Sequence, residues 1–186
     1  MALLSFRRGN PYMLIVGMTG VKMGDRIAQI GCAHGGRLAA IAGKVGLSGR
    51  AVVVVPDEAS AERARKGAAR AGVLVEVGIG PPTRLAEPDA AFDLVVLDDT
   101  AALFASMGPE DRGTAAGEAL RILRPGGRVM VIGATGPAGL GALFTRAPSG
   151  APFDPTPSLQ AAGFKSVRTL AQREGLVFVE ALKPRA

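Results

Sequence analysis

Residues 27–46, "IAQIGCAHGGRLAAIAGKVG", decide the fold. A short apolar run, Ile27–Ile30, meets Gly31-Cys32-Ala33-His34-Gly35-Gly36 and then becomes a small-residue helical pattern over Gly36–Val45. Strand, tight glycine turn and helix is the order in which many α/β proteins offer main-chain N–H groups to a nucleotide.

The flanking segments repeat the alternation. Ala51–Val55 is a continuous β-branched run, too short for a helix, and reads as a buried strand. Asp57–Gly72 opens with acids, continues in Ala and Arg and stops at Gly, the start and stop chemistry of a helix. Val73–Ile79 predicts a third strand closed by Gly80-Pro81-Pro82, and Phe92–Leu97 a fourth followed by Asp98-Asp99-Thr100. A helix over Glu110–Leu123 leads to a fifth strand, Arg128–Ile132. Strands separated by helices need crossovers and so form a parallel sheet. Near the end, Lys165–Ala171 and Leu176–Leu182 are separated only by Gln172–Gly175 and predict an antiparallel hairpin.

Composition narrows the function. The 186 residues are 48% hydrophobic but only 4% aromatic, so the core rests on Val, Leu, Ile and Ala. The formal charge of +6 is scattered over Arg7-Arg8, Arg63 to Arg70, Arg121-Arg124 and the C-terminus. That scatter reads as a solvated surface and, with few stacking aromatics, weighs against nucleic acid. Cys32 is the only cysteine and His34 the only histidine, which excludes an internal disulfide, a CxxC site and a multi-histidine metal centre. No run approaches the ~18 apolar residues of a membrane span. Tyr12–Val21 follows Arg7-Arg8 like a signal peptide but lacks a small-residue cleavage site, so it is expected to belong to the fold and run straight into the first strand. A cytoplasmic protein is expected.

Five segments in order resemble the class I S-adenosylmethionine-dependent methyltransferases, especially their small-molecule and quinone-type branch. "KMGDRIAQIGCAHGG" is similar to the entry strand and glycine loop, and "GRAVVVVPDEASAERARKGAARAG" to the second strand and helix. "FDLVVLDD" stands at the fourth strand, "EALRILRPGGRVMVIG" is the most specific signature, and "LQAAGFKSVRTLAQREGLVFVEALK" resembles the last antiparallel strands. The resemblance implies an α/β fold: one Rossmann-like doubly wound domain over 1–186, with a mostly parallel seven-stranded sheet and a C-terminal antiparallel hairpin. Residues 1–24 would precede the first strand. The Gly/Pro-rich 133–157, with a short helix near Leu140–Phe144, would serve as a lid or partner segment.

The resemblance also implies S-adenosylmethionine as cofactor and assigns a site. Gly31, Ala33 and Gly35, with Cys32 between the first two, stand for the family's Gly-x-Gly-x-Gly. Gln29 occupies the place of an acid that orients the methionine group, and supplies no charge. Val55 or Pro56 falls where an acid accepts from the ribose; Asp57, one or two places late, either reaches in or caps the helix. Gly80 and Pro81 stand where an acid accepts from the adenine amine, and proline offers neither side-chain acceptor nor N–H. Two lost charged hydrogen bonds, at about 1.5–3 kcal/mol each, would weaken binding roughly 10²–10⁴-fold.

Methyl transfer needs alignment above all, and a base only for weak acceptors. Asp98 and Asp99, at the carboxyl edge where open α/β sheets bind ligands, and His34, at the crest of the turn, are the catalytic candidates. Helix capping and a solvated turn are their plainer roles. No metal ligands are expected. The expected function is methyl transfer to a small molecule, an apolar one if Tyr12–Val21 covers it. The alternative is a methyltransferase-like scaffold acting as a binding or partner subunit, and a homo-oligomer or protein partner is compatible with either.

Overall fold

The computed structural model describes residues 12–135 and 153–185. The strands are β1 (Arg26–Ile30), β2 (Arg50–Val55), β3 (Glu76–Ile79), β4 (Phe92–Asp99), β5 (Leu123–Ala134), β6 (Lys165–Arg173) and β7 (Leu176–Leu182). The helices are α1 (Met13–Thr19), α2 (Gly35–Val45), α3 (Glu58–Ala71), α4 (Pro109–Ile122) and α5 (Thr156–Ala162). The strands form one seven-stranded sheet in the order β3-β2-β1-β4-β5-β7-β6. The first five are parallel, while β7 pairs antiparallel with both β5 and β6. The order reverses between β1 and β4, which opens a crevice at their carboxyl ends.

Alternation along the strands divides the core between two faces. Ile27, Leu94, Val96, Met130, Ile132 and Phe178 face α1 and α2, where Ile15, Ile41 and Val45 meet them. Ala28, Ile30, Val95, Leu97, Val129 and Val131 face Ala115, Ala119 and Ile122 of α4 and Leu159 of α5. Small alanines let α4 lie close to the sheet. Each buried Val, Leu or Ile contributes about 1.5–3 kcal/mol.

Four details depart from the sequence reading. Tyr12–Val21 does not run into the first strand: it forms helix α1, whose Gly20 cap has φ +58°. Ile15 is buried and Leu14, Val16 and Met18 pack on the same cluster, so its apolar side is taken up by the core. The third strand starts at Glu76, three residues late, because the Gly72 and Val73 N–H groups still donate to the carbonyls that end α3. Between β3 and β4 the crossover, residues 80–91, contains no helix, and buried Leu85 anchors it instead. Asp98 and Asp99 are the last residues of β4 rather than following it. The expected helix near Leu140–Phe144, and most of the lid or partner segment 133–157, lie outside the described residues.

Candidate active site at the glycine bend

Gly31 turns the chain with φ +86°, and its N–H donates to Val54 O at 2.8 Å. A Cβ there would meet Asp98 O at 2.8 Å and Leu103 Cδ2 at 3.0 Å, so glycine is required both by the turn and by the approach of β4. Gly35 opens α2 against α3: a Cβ on it would strike Arg63 O and crowd Gly67. The bend is thus pressed between two neighbours of its own chain.

Its crest is one peptide unit held at both ends. Arg63 Nη1 donates to Cys32 O at 2.6 Å, and Ala33 N donates to Asp98 Oδ2 at 3.0 Å. Asp98 Oδ1 accepts from Thr100 N at 3.2 Å and Thr100 Oγ1 at 2.6 Å, and Thr100 Oγ1 accepts from Arg37 Nη1 at 2.7 Å. Asp98 is only 4% exposed. Neighbouring Asp99 turns the other way, its Oδ1 accepting from Phe104 N at 2.6 Å and Ala105 N at 3.2 Å. Burial pushes the Asp99 carboxyl above its ordinary range, against those two amides and with help from the Asp98 charge. Burial, then Asp98, also raises the Cys32 thiol to about 11.

Gln29 is 1% exposed; its Nε2 donates to Gly31 O at 2.9 Å, which fixes the amide's orientation. Its Oε1 is left with no partner among the described residues. Exposed His34 stands at the N-cap of α2 with extended backbone, makes no side-chain cap bond, and lies 5.7 Å, ring to ring, from Tyr12. The Gly35 and Gly36 amides that follow donate to no described group.

At the adjoining strand ends the one acid is Asp57, two residues after β2. Pro56 is exposed and Asp57 caps α3, its Oδ1 accepting from Ser60 N at 2.7 Å. That amide holds its carboxyl below the usual range. Of the two roles open to Asp57, capping is the one the structure displays. Gly80 N donates to Val55 O at 2.9 Å and Pro81 is exposed. The structure therefore gathers Gln29, Gly31, Cys32, Ala33, Gly35 and Asp98 at one bend. Pro56, Asp57, Gly80 and Pro81 sit at the neighbouring strand ends.

Three contributors escaped the sequence reading: Arg37, Arg63 and Thr100. Arg37, on the first turn after the loop, was the one open to inference from spacing; Arg63 read as one of several solvated charges on α3. Among the described residues no group of three His, Cys, Asp or Glu side chains is placed to hold a metal. A groove of about 490 Å³ lies at the opposite, amino end of the sheet, between Leu47, Ala51, Val73 and Leu74. It is remote from the bend.

A buried acceptor without a partner, and helix-start amides that donate to no described group, fit the ammonium and carboxylate of S-adenosylmethionine's amino-acid end, with the Tyr12 hydroxyl lying against Gly36. The ribose and adenine ends would depend on main chain and apolar contact, the one carboxylate there, Asp57, being turned through Oδ1 to the start of α3.

Residues 27–127, more than half of the chain, match the model of a methyltransferase domain. The chain belongs to this family, the S-adenosylmethionine-dependent methyltransferases of Rossmann-like fold. Solved structures agree on the fold. A SAM-dependent methyltransferase from Aquifex aeolicus superposes with TM-score 0.69 at 18% identity, covering 93% of this chain and 89% of its own. A SAM-dependent O-methyltransferase from Thermotoga maritima gives 0.66 at 19%, covering 93% and 64%. A Haloferax volcanii structure of the Trm112 methyltransferase activator with a methyltransferase gives 0.65 at 15%, covering 91% and 87%. No curated protein matches the sequence. No helix among the described residues is long and apolar enough to cross a membrane.

Proposed function

We propose that this protein methylates a small molecule held at the carboxyl edge of β1 and β4, over the glycine bend. The observation that carries the reading is the unpartnered Gln29 Oε1, buried two residues before the bend. A buried acceptor left empty costs about 1–3 kcal/mol, so its retention fits a ligand N–H.

S-adenosylmethionine, when bound, supplies the electrophilic methyl group. The chain's own part is orientation. Arg63 and Asp98 fix the crest peptide, and the Gly35 and Gly36 amides are available for a carboxylate. A nucleophilic acceptor needs nothing more. For a weak acceptor a base is needed, and of Asp98, Asp99 and His34 only His34 is exposed at the rim. The two aspartates are engaged by main-chain amides, Asp98 supporting the bend and Asp99 the turn that follows β4. The apolar-acceptor reading loses its motive, because α1 turns its apolar side to the core.

Calorimetric titration with S-adenosylmethionine and S-adenosylhomocysteine is the test. Micromolar to millimolar binding is the expected result. The absence of both binding heat and a thermal shift at about 1 mM ligand would remove the proposal.

A second reading, a scaffold that serves a partner subunit, draws on exposed Pro56 and Pro81 at the acid positions. Pro56→Asp and Pro81→Asp should tighten nucleoside binding in an otherwise open pocket; unchanged affinity favours the scaffold.

A further inference from the structure

Arg63 stands beside the end of β2, where the one acid, Asp57, is turned to the α3 cap and feels the charge of Arg63. Its α3 begins at the Asp57 cap, just after exposed Pro56, and its guanidinium reaches back to the Cys32 carbonyl. It therefore spans the gap between the ends of β1 and β2, where a carboxylate would accept from ribose hydroxyls. A guanidinium cannot accept. In dinucleotide folds an arginine beside this position accommodates a ribose phosphate in place of a free hydroxyl.

The side chain is also anchored in a way that leaves it available. Nη1 donates to Cys32 O at 2.6 Å and lies 3.4 Å from Ser60 Oγ. Nε and Nη2, the side-on fork of the guanidinium, donate to no described residue, and Arg63 forms no ion pair among them. Arg37 lies 4.0 Å from Asp98, Arg50 meets Glu76 and Glu87, and Arg121 meets Glu118 and Asp89, while Arg112 is held by the Met107 carbonyl; Arg63 differs from them in reaching the glycine bend through a carbonyl. An arginine positioned by a neutral carbonyl, with its fork open at a ligand-binding sheet edge, matches the geometry of bidentate phosphate recognition.

We propose that Arg63 anchors a phosphate-monoester subsite between the glycine bend and the start of α3. The phosphate belongs either to the ribose of a nucleotide or to the methyl acceptor. The subsite stands on Arg63's own geometry and does not require the methyl-transfer reading to hold.

The experiment titrates the full chain calorimetrically with adenosine, adenosine 3′-monophosphate, ribose and ribose 5-phosphate, and with S-adenosylmethionine in parallel. A nucleotide source predicts that adenosine 3′-monophosphate binds roughly ten- to hundredfold tighter than adenosine. An acceptor source predicts that gain for ribose 5-phosphate over ribose, with none between the two adenosines. In either case Arg63→Gln abolishes the gain, Arg63→Lys keeps part of it, and Arg70→Gln, at the far end of α3, keeps all of it. Thermal melting of each variant confirms that it is folded. The proposal is overturned if neither phosphate binds more tightly than its parent, or if the gain survives in Arg63→Gln. S-adenosylmethionine binding without a phosphate gain rejects the subsite alone; a phosphate gain without S-adenosylmethionine binding rejects the methyl-transfer reading alone.

Discussion

Arg63 and Asp98 grip opposite ends of a single peptide group, the Cys32–Ala33 unit, at 2.6 Å and 3.0 Å. One residue comes from α3 and the other from the end of β4, so the crest of the bend is set by elements 35 positions apart in sequence (98 − 63). Asp98→Ala should be severe. It strands the Ala33 and Thr100 amides and leaves Arg37 without its nearby charge. We expect a loss of about 3 kcal/mol or more, read from urea unfolding.

Asp99 should behave differently. Only its Oδ1 is engaged, by two N–H donors, and an Asn side chain keeps that acceptor while removing a carboxylate that burial disfavours. Asp99→Asn is expected to change stability at pH 7 by less than about 1 kcal/mol. A loss matching that of Asp98→Ala would contradict this assignment.

Gln29→Leu separates stability from binding. The substitution removes a buried oxygen that has no partner but also the Nε2 bond to Gly31 O, so the two effects offset and the ligand-free stability should change by less than about 1 kcal/mol while S-adenosylmethionine affinity falls. Differential scanning calorimetry and titration of the same sample check both. Equal affinity in the two proteins would mean that the oxygen has no ligand to meet.

Cys32 should be chemically quiet. It is buried, and its thiol is raised to about 11, so almost none is thiolate at pH 8. An aromatic disulfide reagent should label it only after denaturant is added. Fast labelling of the native protein would show that the bend opens.

The acid limb of stability has a readable sign. Arg121 beside Glu118, helped by the Leu85 amide, holds that carboxyl below its ordinary 4.5. Its stabilisation is present above about pH 4.5 and is lost as pH falls through the lowered value. Asp99 acts oppositely: its raised value means that stability declines as pH climbs from about 3.8 to that value. Glu118→Gln should flatten the fall in melting temperature below about pH 4.5, measured from pH 3 to 7. An unchanged acid limb would show that this pair does not control it.

The central strands were legible because parallel strands buried on both faces read as unbroken apolar runs, as in Ala51–Val55 and Phe92–Leu97. The hairpin was legible from its four-residue gap, which closes to Glu174-Gly175 with both residues at positive φ. Helix α1 was not, because Gly17 and a nearly uniform apolar composition hide its period. Nor could sequence choose between the roles of Asp57, since an N-cap and a ribose acceptor need the same carboxylate at nearly the same place. Arg63 was hidden for a related reason: one exposed arginine among several on α3 differs only in where its tip arrives.

Arg128 Nη2 donates to Gly20 O across 108 positions, and Arg128 also lies 3.5 Å from Glu180. Helix α1 is therefore fastened by a strand made much later. At about 5–20 residues per second, that partner follows after roughly 5–20 s. During translation α1 has the α2 side of its seat available early, and the tether from β5 closes on it only when the second half of the chain arrives.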